Sequence, residues 1–291
     1  METLPTYVKI LTYLFVIVYM LSVTLETTRG QIMATFTDRR QMGRALLANF
    51  VLVPLLGVIL ARLFTLSPDV RIGFLLLALS PGGLFALQFA RVSKGNLVLA
   101  VGLLIALSTL AILLTPALVA LLFPAVGEGR LPLVLLVLLL LLLIAAPLLA
   151  GRAWQQFAPE AAPRLGRRLG VLSIVLFIIT TVAAGKYKTP AIKAISAHEI
   201  MAIVSLVLAS WFIGWLLGGP EVRNRKVLAI STSLRNVGVC LPIAVNYFPG
   251  TAVVVPILAF SGISIPMNMV FALITGRTLR DTEASVSPVE P

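Results

Sequence analysis

Long apolar segments of about 20 residues each follow one another along the whole chain, separated by short polar turns. A segment of this length crosses the hydrocarbon core of a bilayer as one α-helix. The pattern predicts an all-α membrane protein with about nine transmembrane helices. The expected spans are residues 8–25, 45–64, 72–90, 97–123, 131–149, 169–184, 200–217, 227–248 and 251–275.

Two of the predicted spans are interrupted. The third contains Ser80-Pro81-Gly82-Gly83, where proline removes a helical donor and glycine loosens the backbone. The eighth has a polar middle, Ser231–Asn236, between apolar flanks. They are the third and the eighth spans, an odd offset of five, so they run in opposite directions across the membrane. This predicts an inverted-topology repeat whose two interrupted helices cross near the midplane.

The domain prediction follows from the same pattern. Residues 1–291 form a single transmembrane domain, with approximate repeats 8–124 and 131–276 and a tail at 277–291. The predicted spans leave no room for a separate soluble domain.

Composition and charge support a membrane location. Hydrophobic residues make up 59% of the chain and charged residues only 12%, against about 25% charged in a soluble domain. The net charge of +12 would suggest nucleic acid in a soluble protein. Here basic residues collect in alternate loops and face anionic lipid, so the expected partner is the bilayer and no nucleic acid. Their distribution predicts an outside N-terminus, a cytoplasmic C-terminus and a multi-pass protein of the plasma membrane, such as a bacterial inner membrane.

The candidate chemistry centres on Arg235. A central arginine costs several kcal/mol within a span unless it has partners, so it marks a site. The candidate substrate-binding residues lie at the interruptions or in neighbouring spans, although for Gln88 and Asn49 bonding between helices is an equally good or better explanation. They are Asn49, Gly82, Gly83, Gln88, Ser231, Thr232, Arg235 and Asn236. Smaller expectations are that Asn246 and Asn268 bond between helices. Ser261 and Ser264 either face the second interruption or, as small residues in spans more often do, serve close packing.

Several kinds of site are excluded by what the sequence lacks. No aspartate or glutamate lies deep in a predicted span, so a carboxylate proton relay is not expected. No paired acids, histidine-rich metal set, nucleophile–base pair or phosphate loop occurs, and the single cysteine excludes a thiolate cluster. The chain is therefore not expected to be an enzyme or to hold a metal.

At the level of motifs the chain resembles the bile acid:sodium symporter family in its nine-span form. Ser80-Pro81-Gly82-Gly83 is similar to the break in that family's first crossing helix, and Thr115-Pro116 to the helix that follows. Asn49-Phe50 with Pro54 is similar to a Gln-Phe and Met-Pro pattern, and Ser231–Asn236 falls where the family carries Glu-Thr-Gly-x-Gln-Asn. The resemblance implies alternating access, with a small panel domain and a core domain rocking against each other.

The departures from the family concern its two sodium ions. Positions that would supply oxygen ligands hold other residues here: Ala86, Leu87, Ala100, Leu104, Ser231 and Arg235. Asn49, Thr232 and Asn236 still match. Sodium is the ion that the resemblance implies, but with its carboxylate and most side-chain oxygens replaced we expect no bound cofactor. Arg235 is instead expected to occupy the sodium position as a permanent cation, to brace the crossing, or both.

The resulting expectation is a secondary transporter of a small organic anion, such as a carboxylate or sulfonate, that works without sodium by efflux, uniport or exchange. The alternatives are a sodium-coupled organic anion symporter with an atypical ion site, and a non-transporting membrane receptor or subunit that kept the fold. The sequence specifies neither the anion nor an oligomeric state.

Overall fold

The computed structural model describes residues 5–28, 30, 38–83, 85–122, 133–193 and 195–284, and within these ranges all regular structure is helical. This confirms the predicted all-α class. We number the helices α1 (Thr6–Glu26), α2 (Arg39–Leu63), α3 (Pro68–Leu79), α4 (Ala86–Val92), α5 (Leu97–Leu122), α6 (Val134–Phe157), α7 (Ala162–Lys193), α8 (Ala197–Leu217), α9 (Val222–Ser233), α10 (Val237–Tyr247) and α11 (Val254–Ala284). Short π-helical turns interrupt the α-helical pattern inside α2 and α6, at Ala48–Leu52 and Leu141–Ala145.

The described part of the chain contains eight segments that are long and apolar enough to cross a membrane, with α9 and α10 counted together. The α3–α4 pair is not among them, because its break divides it into helices of 12 and 7 residues. Counting that pair gives about nine spans, as the apolar pattern predicts. The inverted relation of the repeats 8–124 and 131–276 and the separate tail 277–291 stay predictions.

Several helices extend beyond the predicted spans. Helix α6 continues to Phe157 and α7 begins at Ala162, so most of the expected basic loop between them is helical. Helix α9 likewise begins at Val222 rather than at residue 227. Arginine and lysine are good helix formers, so a basic helix end can project past the hydrocarbon into the headgroup region. The predicted span ends at residues 123 and 131 lie outside the described residues.

The helices pack in two groups. Helix α1 packs along α6 and α7, while α8 packs on α9 and α2, and α11 contacts α3, α4 and α10. We refer to the first group as the panel and to the second as the core; that the two rock against each other stays a prediction. Polar bonds join α1 to the second group at two points: at its last residue, where Glu26 accepts from Arg91 at 3.0 Å, and two turns in from its start, where Asn246 donates to the Tyr13 hydroxyl at 2.6 Å.

Candidate functional site

The two helix breaks meet directly. The backbone N–H of Asn236, in the α9–α10 break, donates to the backbone carbonyl of Ser80, in the α3–α4 break, at 2.8 Å. Gly83 lies against Leu234, where a Cβ would come within 2.6 Å of the Leu234 carbonyl oxygen. Gly82 has a positive φ of 92°, which glycine adopts without strain. The two breaks therefore cross at backbone contact distance, and this close approach requires the glycine at position 83.

The α9–α10 break forms without a proline or glycine in it. Leu234 is extended, with φ −88° and ψ 122°, so α9 ends at Ser233. Asn236 then caps α10 because its side-chain oxygen accepts from the Val239 amide at 3.2 Å. Asparagine is a favoured N-cap residue, so Asn236 starts the next helix only two residues after the extended Leu234.

Arg235 lies between the broken helices, and its side chain is buried, with 2% of its surface exposed. Its Nε donates to the Leu77 carbonyl at 3.0 Å, and Nη2 donates to the Ala78 carbonyl at 2.7 Å. The remaining bonds go from Nη1 to the Thr232 carbonyl at 3.1 Å and to Asn49 Oδ1 at 3.1 Å, and from Nη2 to the Asn49 carbonyl at 3.4 Å. A guanidinium has five N–H donors, and here five oxygens accept from it.

Every oxygen around this guanidinium is neutral. Leu77 and Ala78 are in the last turn of α3, and Thr232 is in the last turn of α9, so their carbonyls lie at the electronegative ends of helices. Within the described ranges the recorded ion pair is Arg91–Glu26, and no carboxylate contacts Arg235. The crossing therefore carries a positive charge that is solvated by dipoles but is not neutralised.

A narrow pocket opens beside Arg235, with space for about one water molecule. Most of its wall is apolar, and two hydroxyls lie on α11. The lining residues are Phe85, Phe177, Leu234, Arg235, Val237, Phe260, Ser261, Ser264 and Ile265. Phe85 is at the start of α4 and Phe177 is on α7, so the pocket lies where the two helix groups meet.

The structure brings most of the predicted site residues together. Asn49 and Thr232 bind Arg235 directly, and Gly83 and Asn236 form the crossing. Gly82 is on the same break as Gly83 and lies beside Ser108 of α5.

Two predicted site residues are placed differently. Ser231 donates to the Leu228 carbonyl within its own helix, and it does not share a helical face with Arg235 because α9 ends at Ser233. Gln88 is half-buried on α4 and is not part of the pocket wall.

The positions expected to have lost sodium ligands are buried hydrocarbon. Ala86, Leu87, Ala100 and Leu104 are each at most 5% exposed and belong to the apolar core. The place between Asn49 and the Thr232 carbonyl is filled by the guanidinium. A hydrated or bare sodium ion therefore does not fit the described residues at either position, since one is apolar and the other holds a cation.

A second polar link beside the break was only partly foreseen. Asn268 on α11 accepts from Ser233 at 2.7 Å and from the indole of Trp211 at 2.9 Å, which confirms that it bonds between helices. Trp211 on α8 also stacks on Phe271 at 4.9 Å. The backbone oxygens of Leu77 and Ala78 were not foreseen, because a carbonyl carries no side-chain signal in a sequence.

Comparison with known proteins agrees with this architecture. The sequence model of the Sodium Bile acid symporter family matches residues 13–195. The chain is 24% identical over 213 residues to an uncharacterized sodium-dependent transporter, YocS, of Bacillus subtilis, covering 69% of this chain and 63% of that protein. It is 24% identical over 237 residues to the probable chloroplastic sodium/metabolite cotransporter BASS2 of Oryza sativa, covering 76% and 55%. A BASS1 cotransporter of Arabidopsis thaliana is 23% identical over 251 residues, covering 81% and 58%. The chain thus spans about three fifths of the length of these relatives.

Proposed function

The chain belongs to the Sodium Bile acid symporter family, and from this premise we propose that it carries a small organic anion across the membrane by alternating access without sodium. Membership makes it a multi-span membrane protein of a transporter family and not an enzyme. The match to a bacterial protein supports the predicted location in a plasma membrane. The anion, the independence from sodium and the direction of transport are our proposals.

The single observation that carries the proposal is the environment of Arg235. Helix-end carbonyls and an amide oxygen are groups that can coordinate sodium. Here they bind a guanidinium that is part of the chain and cannot dissociate. A cation that is always present removes the need for a sodium ion to complete the crossing. It also removes the means by which a sodium gradient could drive transport through that position.

The same charge favours an anionic substrate. All five donors of Arg235 are already used, so it attracts an anion through its field rather than through a free N–H group. A direct bond can come from Ser264, which lines the pocket, whereas the Ser261 hydroxyl donates to the Ile257 carbonyl at 3.0 Å. A further donor is the buried Asn236 Nδ2, which has no hydrogen-bond partner in the described structure. In this conformation the pocket holds about one water molecule, so an organic anion enters only when the two helix groups separate, and its apolar body then lies against Phe85, Phe177 and Phe260.

The direction of transport follows from the membrane potential. Moving one elementary charge across about 100 mV is worth roughly 2.3 kcal/mol. Without sodium, and without an acidic residue deep in a span to carry a proton, an inside-negative potential drives a monoanion outward. We therefore propose efflux, uniport in the outward direction, or exchange of one anion for another.

A sodium-coupled symporter is the second candidate, and the relatives favour it, since they are named as sodium-dependent or sodium/metabolite transporters. It would require a sodium site made from oxygens other than those around Arg235. Because the sodium dependence of binding differs between the two candidates, one measurement separates them.

The test begins with ligand binding in detergent. Cholate, benzoate and octanesulfonate are screened for a rise in melting temperature, first in sodium chloride and then in choline chloride at equal ionic strength. We expect the same stabilisation and the same affinity in both salts. A saturable requirement for sodium would refute sodium independence and support the symporter.

A flux measurement then tests the direction. Proteoliposomes are loaded with the stabilising anion, and the potential is set by a potassium gradient with valinomycin, without sodium and at equal pH. We expect net movement toward the positive side and rapid exchange at zero potential. Accumulation of the anion against an inside-negative potential would contradict the proposal.

A further inference from the structure

A groove lies where α6 ends and α7 begins, on the side of the molecule that the loop charges predict to be cytoplasmic. It encloses about 510 Å³. Its walls come from the two helices and the short turn between them. The lining residues are Trp154, Glu160, Ala161, Arg164, Leu165 and Arg168.

The groove is basic, and its charges have no partners within the described part of the chain. Arg164 and Arg168 are four residues apart, so both lie on the same face of α7. Both are exposed, and no hydrogen bond or ion pair is recorded for either side chain among the described residues. Glu160 is the acidic residue in the groove wall, and Arg167 lies between the two arginines in sequence. The net charge of the wall is therefore positive.

The same face of α7 continues as an apolar stripe toward the membrane interior. Leu172, Val175 and Ile179 follow Arg168 at helical spacing and are 45%, 45% and 46% exposed. At 1.5 Å per residue the stripe extends about 16 Å beyond Arg168, which is about half the thickness of the hydrocarbon core. Trp154 is 50% exposed at the groove, where an indole suits the boundary between headgroups and acyl chains.

We propose that this groove binds one anionic phospholipid of the cytoplasmic leaflet. The phosphodiester accepts hydrogen bonds from Arg164 and Arg168, since a guanidinium matches the oxygens of a phosphate in two-pronged geometry. Trp154 packs at the glycerol backbone, and an acyl chain lies along Leu172, Val175 and Ile179. A headgroup without chains gains only the polar part of this contact, so the groove selects a lipid over a soluble phosphate ester.

The experiment is native mass spectrometry of the purified chain in detergent with added phosphatidylglycerol or phosphatidylcholine. We expect one phosphatidylglycerol to be retained and phosphatidylcholine to be lost. Replacing both arginines, Arg164→Gln with Arg168→Gln, should weaken phosphatidylglycerol binding roughly 30-fold, because each basic residue near an anionic lipid surface contributes about a fivefold change. Glu160→Gln should tighten binding, which keeps the proposal testable if the double variant folds poorly.

The matched control is Arg39→Gln with Arg40→Gln, an exposed pair outside the groove that removes the same charge. It should retain phosphatidylglycerol like the unchanged chain. Equal loss in the control would mean that lipid binds by net charge alone, and unchanged binding in the groove variant would place the lipid elsewhere. We expect glycerol phosphate to displace phosphatidylglycerol only at a large excess or not at all. Displacement at a concentration equal to that of the lipid would mean that the groove binds soluble phosphate esters. Each of these three results would overturn the proposal.

Discussion

In the described part of the chain two buried cationic side chains, Arg235 and Lys226, donate to backbone carbonyls. Arg235 is held by carbonyls at the ends of α3 and α9. Lys226, 1% exposed, donates from Nζ to the Ser93 carbonyl at 3.2 Å and to the Thr275 carbonyl. Carbonyls in the last turn of a helix have no intrahelical partner, which suits the carbonyls around Arg235 and that of Ser93, the residue after α4; Thr275 instead lies inside α11. In both cases the charge joins elements that are far apart in sequence.

The first prediction concerns the loss of this charge at the crossing. Arg235→Ala leaves the carbonyls of Leu77 and Ala78 without donors, so stability should fall by on the order of 3 kcal/mol, as for buried hydrogen bonds to a charged group. The stability of Arg235→Lys should lie between those of the unchanged chain and Arg235→Ala, because an ammonium has three donors for five oxygens. Thermal melting in detergent measures both changes, and anion affinity should fall in the same order.

The control is Arg71→Ala, since Arg71 is an exposed arginine on α3, the helix that binds Arg235. Its melting temperature and anion affinity should stay within error of the unchanged chain. If Arg235→Ala behaved like this control in both measurements, the assignment of Arg235 to the site would fail.

The sequence identified the central residue but not its partners. Arg235 stands out because an arginine within a span is rare, and Asn49 was a candidate through its amide. Four of the five oxygens that bind the guanidinium are backbone carbonyls, and every residue has a carbonyl. They belong to Asn49, Leu77, Ala78 and Thr232. Which carbonyls are free depends on where α3 and α9 end, and that is a property of the folded chain. Ser231 and Arg235 are four residues apart but do not share a helical face, because α9 ends at Ser233.

At the scale of the helices, the two breaks have different causes. The α3–α4 break contains Pro81 and Gly82, which are strong signals in a sequence. The α9–α10 break has neither, and it depends on the extended Leu234 and on the Asn236 cap. The first could be predicted from residue type alone, whereas the second rested on a polar run and a family resemblance. Helix ends were less predictable, since α7 and α9 continue through basic residues.

The second prediction concerns the contact between the breaks. In Gly83→Ala the new methyl group would overlap the Leu234 backbone, whose carbonyl carbon lies 2.7 Å from the Cβ position. The two breaks must then separate, which should weaken the Asn236–Ser80 bond and lower both the melting temperature and anion binding. Gly262→Ala on α11 is the matched control, because its Cβ position meets open space. Alanine favours helix there by up to about 1 kcal/mol, so the control should be neutral or stabilised. Equal melting temperatures for the two variants would show that the breaks do not depend on close approach.

At the scale of the whole molecule, the loop charges predict which side faces the cytoplasm. Basic residues at the start of α9 place the α8–α9 turn inside, and α7–α8 is then outside. The lysines at the end of α7 are an exception to this pattern, so the assignment needs a direct test.

The third prediction is the labelling pattern of two exposed positions. On a Cys240→Ala background, which removes the buried native thiol, His198→Cys should react with an impermeant maleimide in intact cells. Glu221→Cys should react only after the membrane is made permeable. The reverse pattern would invert the topology and place the proposed lipid groove on the outer leaflet.

Helix α1 has a further consequence for how the molecule opens. Tyr13 and Glu26 are both on this one rigid helix, about 20 Å apart along its axis. Each is bonded to the core, to Asn246 and to Arg91 respectively. A substrate path from the pocket to the outside requires the Tyr13–Asn246 bond to break, and a path to the inside requires the Glu26–Arg91 pair to break. The bond that remains keeps the opposite side closed. We therefore predict that α1 tilts as one rigid body, with the Tyr13–Asn246 bond closing the outer side and the Glu26–Arg91 pair closing the inner side.

Loss of the two bonds should have opposite effects. Asn246→Ala removes the outer bond, so a cysteine placed at Ser264 should react faster with a charged thiol reagent added outside. Glu26→Gln removes the inner ion pair and should slow the same reaction. Exposed pairs are weak, on the order of 0.5–1 kcal/mol, so shifts of about two- to fivefold are expected. Changes in the same direction would show that the ends of α1 open independently. Changes in opposite directions would mean that one straight helix sets the resting tilt of the whole carrier.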